Sequence, residues 1–87
     1  MSVRGEFRRL LGDLLHELHE AQLAPESVRA LEPLAERARD DLAGAATSAL
    51  AVLPRLDARA FADGAARARF EAAYERLEEV CRIILGR

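Results

Sequence analysis

At 87 residues the chain has room for one domain, and although 51 % of it is apolar, 18 of those residues are alanine, so the larger side chains available for a core are few. A formal net charge of -2 excludes the strongly basic surface of a general nucleic-acid binder, and one cysteine with two histidines excludes a disulfide framework or a self-contained zinc site. All 13 basic residues are arginine and neither lysine nor asparagine occurs, a composition expected of a GC-rich bacterial genome.

The opening residues MSVRGEFRR lack the apolar run of a signal peptide, and the longest uncharged apolar stretch, Leu42 to Leu53, is too short to span a bilayer. The expectation is a cytoplasmic protein with no membrane partner. From Val3 to about Gln22, Phe7, Leu10, Leu11, Leu14, Leu18 and Ala21 recur at spacings of three and four, which predicts a first helix with one continuous apolar stripe. Pro25 cannot continue it and disfavours helical geometry at Ala24, so Leu23 to Ser27 is the connection.

A second helix starts near Pro25 or Glu26. Pro33 falls inside it, but Val28 and Leu31 stay in phase with Leu34 and Ala38, which favours a kink. The alternative is a short helix ending near Leu31 and a new one with Pro33 at its first position. Leu42 to Leu53, LAGAATSALAVL, then places Leu42, Ala45, Ala49, Val52 and Leu53 on one arc, in phase with Leu31, Leu34, Ala35 and Ala38. The opposite arc holds Ala43, Gly44, Thr47, Ser48 and Ala51, where a surface helix ordinarily carries charge. Small side chains admit a second helix closely, within the fold or from another copy of the chain. Equally, alanine is the best helix former and simply occupies an exposed face, although Gly44, Thr47 and Ser48 are poor choices for propensity alone.

Pro54 ends this helix. Asp57 is an N-cap for Ala58 to Ala62, a turn or short helix that tucks Leu56 and Phe61 under the bundle, and Asp63-Gly64 is the next joint. A last helix runs from Ala65 to about Leu85 with Ala66, Phe70, Ala73, Tyr74, Leu77, Cys81 and Ile84 inward, Val80 beside them and Ile83 outward, and Gly86 ends it. These pieces predict an all-α domain over residues 1–87, a small antiparallel three-helix bundle with or without a short fourth helix between the second and third. Cys81, between Leu77 and Ile84, reads as a small buried hydrophobe.

No catalytic, cofactor or metal motif is present, and the protein is expected not to be an enzyme. His16-Glu17-Leu18-His19-Glu20 approaches the HExxH zinc motif, but its histidines are three apart rather than four. Glu17-Leu18-His19-Glu20 resembles the phospho-acceptor box of some bacterial histidine kinases, over four residues only and without the usual basic residue ahead of the glutamate. That resemblance implies at most that His19 accepts phosphate from another protein.

Charge is unevenly distributed, positive over residues 1–9 and 37–69 and negative over 10–36. In an antiparallel three-helix bundle the starts of the first and third helices meet the close of the second. Arg4, Arg8, Arg9, Arg55, Arg59, Arg67 and Arg69 would then form a basic pole suited to an acidic protein partner, with Glu17, Glu20, Glu26, Glu75, Glu78 and Glu79 at the other end. Arg8 and Arg9 also oppose the dipole of their own helix, a cost that a docked acidic group would offset.

The leading expectation is a non-enzymatic interaction or scaffold module. It would self-associate through Gly44, Thr47, Ser48 and Ala51, or dock a protein on its basic pole. A phosphorelay domain using His19 and a nucleic-acid-binding accessory protein using the arginines are the alternatives, the latter weakened by the acidic remainder of the surface.

Overall fold

The computed structural model describes residues 2–87, and every regular element among them is helical. The α-helices are α1 (Val3–Ala21), α2 (Pro25–Leu31), α3 (Leu34–Asp40), α4 (Leu42–Val52) and α5 (Gly64–Leu85), with two 3-10 turns, Leu53–Arg55 and Ala58–Ala60, between the last two.

The Ser2 hydroxyl accepts the Gly5 N–H at 2.9 Å and caps the start of α1. At its end Gln22 turns left-handed (φ 56°), and the N–H groups of Gln22 and Leu23 close back on the carbonyls of His19 and Leu18 at 3.1 and 3.0 Å. Ala24 is also left-handed (φ 50°), so this turn holds two strained residues without a glycine. It is tight enough to lay α2 directly against α1.

Two interruptions, not one, divide the stretch expected to be the second helix. Pro33 has no N–H to donate, and it stands outside the helices: Glu32 donates the last bond, to Val28, at 2.9 Å, and the Pro33 carbonyl accepts the first bond of α3, from Arg37, at 3.0 Å. The break after Leu31, rather than the kink, is what forms. The second interruption is Asp41, with φ -142° and ψ 75°. Its backbone leaves the helix, and its Oδ1 accepts the Gly44 N–H at 2.9 Å to start α4.

At Asp41 the chain reverses. Arg4 Nε donates to the Ala38 carbonyl at 2.9 Å and Arg8 Nε to that of Ala35 at 3.1 Å, so α3 runs antiparallel to α1. α4 folds back along α3, with Arg37 of one bonded to Ser48 of the other at 3.1 Å. α5 then runs antiparallel to α1, since Glu6 pairs with Arg76 and Glu17 with Arg69. The result is an up-down-up-down bundle of four legs, the second being α2 and α3 bent at Pro33. The small all-α bundle expected from the sequence is what forms; the difference is that the expected second helix divides at Asp41 into two legs. The apolar phase ran unbroken through Asp41 because α3 and α4 face one core from opposite sides.

Within that core α4 is enclosed on more than one side: Ala45, Ala46 and Ala49 are inaccessible to solvent, and their small size lets α3 and α5 approach closely. Phe7, Leu11, Leu14, Phe70 and Leu77 supply the bulk. Phe61 tucks under the bundle as expected, its ring centroid 4.7 Å from that of Phe70, which is in turn 5.8 Å from Tyr74. Asp63 caps α5 by accepting the Ala66 N–H at 3.0 Å, and Gly86 ends it at φ 71°. Ile83 remains 56 % exposed.

Cys81 is fully enclosed, and burial, assisted by the charge of Glu78, pushes its thiol from 9.0 up to about 11. A thiol whose pKa rises on folding contributes stability that is complete below about pH 9 and is lost as pH climbs through about 11. The phenol of Tyr74 is also raised, by burial and then by Glu78, and adds to the loss above its ordinary 10.0. Urea midpoints measured against pH should therefore fall steeply on the alkaline side, less so in Cys81→Ala, and a disulfide-exchange reagent at about pH 8 should label Cys81 only after unfolding.

A second expectation concerns the turn. A β-carbon on Gly44 would collide with the Asp41 carboxylate and stand 2.6 Å from the Arg37 guanidinium. Glycine to alanine inside an unobstructed helix stabilises by about 1 kcal/mol. Here Gly44→Ala is expected to give little or no rise in urea midpoint in the native chain and to regain that gain in an Asp41→Ala background; equal gains in both would show that the turn places no constraint on residue 44.

Candidate interaction surfaces

α4 contains no ionisable side chain. Outward it presents Ala43, Thr47 and Ala51, all exposed, with Gly44, Ser48 and Leu50 half-buried along its edges. The Thr47 hydroxyl donates to the Ala43 carbonyl at 2.9 Å, so its hydrogen is already used within the helix.

Arg37 explains two of the small residues. Its guanidinium reaches from α3 across Gly44, donating to the Ser48 hydroxyl at 3.1 Å and to Asp41 Oδ2 at 3.2 Å. The close approach that Gly44 and Ser48 permit is thus taken up by an arginine of the same chain. Of the four residues expected to form a self-association face, the structure leaves Thr47 and Ala51 free and gives Gly44 and Ser48 an internal neighbour.

The seven arginines expected at one pole are not brought together. Arg4 and Arg8 lie beside α3, where Arg4 supplies a donor and a positive charge to the carbonyl end of that helix. That contact accounts for cations in the opening turns of α1 without an outside acid. Arg9 pairs with Asp13 at 3.3 Å on its own helix. Arg55, Arg59, Arg67 and Arg69 belong to the opposite end of the bundle, where Asp57 pairs with Arg59 at 3.2 Å and Glu71 with Arg67 at 3.6 Å. The expected acidic pole is divided in the same way: Glu17 lies beside the start of α5, while Glu75, Glu78 and Glu79 lie in the half of α5 that meets the start of α1. The fourth leg is the cause, since it inverts α5 relative to a three-helix path.

Glu17, expected on the solvated acidic face, is 8 % exposed. Arg69 forks onto it from α5, Nε to Oε2 at 3.0 Å and Nη2 to Oε1 at 3.3 Å, and this hydrogen bonding, then the carboxylate's charge, raises the guanidinium pKa. The signal was available in spacing, because residue 17 follows Leu14 by three and Leu10 by seven and so shares their face. The pair crosses an open groove between α1 and α5, about 460 Å³ on the side lined by Leu10, Asp13, His16, Ala73 and Arg76.

The two histidines diverge. His16 faces this groove, while His19, with its side chain 56 % exposed, faces the end of α2 and stands 3.5 Å from the Glu32 carboxylate. They line different grooves, and no group of three or more His, Cys, Asp or Glu able to hold a metal occurs among the described residues. Nor is any helix among them long and apolar enough to cross a membrane. No protein-family model matches the chain, and no curated protein or solved structure matches it either.

The Glu17–Arg69 fork has a testable asymmetry. Arg69→Leu leaves a nearly buried carboxylate without its donor and should lower the urea midpoint, whereas Glu17→Leu removes the charge that needed pairing and should remain close to the native value. The double variant should then match Glu17→Leu; a neutral Arg69→Leu would mean that water satisfies Glu17.

Proposed function

We propose that the protein is a non-enzymatic helical interaction module that self-associates through the outer strip of α4. The observation that carries this reading is the absence of any charge on that strip, Ala43, Thr47 and Ala51, while every other helix of the bundle turns arginine, aspartate or glutamate to solvent. Burying a charged face costs desolvation and side-chain ordering, and alanine and threonine carry little of either, so association is least opposed at α4. Two copies of the strip crossing about a two-fold axis would pair the same residues reciprocally, with the backbones close because no large side chain intervenes. Arg37, held back over Gly44 by Asp41 and Ser48, would border such a contact.

Sedimentation equilibrium over a wide concentration range tests the reading. A reversible dimer is expected for the native chain, weakened about tenfold or more by Ala51→Arg or Thr47→Arg, since each sets a charge at the centre of the contact. These positions are preferable to Ser48, whose replacement would also displace Arg37. A monomer at all concentrations, or a dimer indifferent to both substitutions, would remove α4 as the contact.

A further inference from the structure

α5 carries four glutamates, and the structure provides cations for three. Arg67 pairs with Glu71 at 3.6 Å, Arg76 with Glu79 at 3.3 Å and Arg82 with Glu78 at 3.6 Å. Glu75 has no arginine or histidine within 4.0 Å among the described residues, although Glu71, Glu78 and Glu79 are each three or four positions away on the same helix. Like charges at that spacing repel, so Glu75 is held in the most negative part of the helix with nothing opposite it.

Beside Glu75 the surface is concave. A groove of about 250 Å³ separates α5 from the link that follows α4, with Leu56 and Ala58 on one wall, Phe70 and Tyr74 as its floor, and Glu71 and Glu75 on the other rim. Phe70 is buried and packs between Phe61 and the half-buried ring of Tyr74. An aromatic ring flanked by carboxylates, facing an aliphatic wall, is the chemistry that receives a guanidinium or ammonium with an apolar neighbour.

We propose that this groove docks a basic-apolar peptide segment of a partner protein, with an arginine or lysine lying over Tyr74 between Glu71 and Glu75 and an adjacent aliphatic side chain against Leu56 and Ala58. Charge complementarity selects the occupant. A second copy of the chain is disfavoured, because two-fold pairing through the groove would set its carboxylate rim against an identical rim. The site is separate from the outer strip of α4 and does not depend on self-association there.

The chain contains one tyrosine and no tryptophan, so tyrosine emission reports this groove alone. The full chain would be titrated with a capped tetrapeptide of leucine, alanine and two arginines that contains no aromatic residue. The control is the same peptide with citrulline, a neutral isostere, in place of arginine. A saturable change in Tyr74 emission is expected with the arginine peptide only, weakening with added salt, about tenfold weaker in Glu75→Gln and unaltered in Glu36→Gln on α3. Circular dichroism of Glu75→Gln should match the native chain, because the substitution relieves repulsion. No saturable change, an equal response to the citrulline peptide, or an undiminished response in Glu75→Gln would overturn the proposal. A change in emission on diluting the protein alone would place a second copy in the groove and overturn it equally.

Discussion

The two oxygens of the Asp41 carboxylate hold separate partners, the Gly44 N–H on one and the Arg37 guanidinium on the other, and the bundle's connectivity follows from that arrangement. The N–H bond first, then Arg37, keeps this carboxyl below the ordinary carboxylate range. Because the cap starts α4 while Arg37 still belongs to α3, one side chain both ends a leg and begins the next in the opposite direction. With a fourth leg inserted, α5 must descend beside α1, and the pairs Glu6–Arg76 and Glu17–Arg69 become possible.

This topology also suits a core with few large side chains. α4 enters the middle of the bundle with alanines, so the legs around it close to short distances and the phenylalanines and leucines of α1 and α5 can fill what remains. The ion pairs on the surface are mostly between exposed groups one helical turn apart and contribute little individually. Glu17 differs from them in being nearly buried.

The same inversion sorts the surface. Arginines that a three-helix path would gather are spread over both ends, and six of the seven bond a carbonyl or carboxylate, Arg55 being the exception. What remains distinctive is an uncharged strip on α4 and an aromatic groove on α5 with a surplus carboxylate. The two differ in chemistry, and we read them as contact surfaces for different partners.

Helix content, the cap at Asp57, the joint at Asp63-Gly64, the stop at Gly86, the inward set on α5 and the burial of Cys81 were all legible, because each depends on periodicity or on a residue's bond to its own neighbours in the chain. The reversal at Asp41 was not legible, because the apolar phase passed through it unbroken. Phase records which residues face a core, not from which side. Glu17 was misplaced for a related reason, since a glutamate in an apolar register looks solvated until an arginine 52 residues away is brought onto it. Local backbone preference and amphipathic period, then, are properties of the chain itself and determined its helices and their inner faces. Direction of the legs, and with it which charges meet and which surface stays bare, was decided only by tertiary packing, because those contacts join residues far apart in sequence.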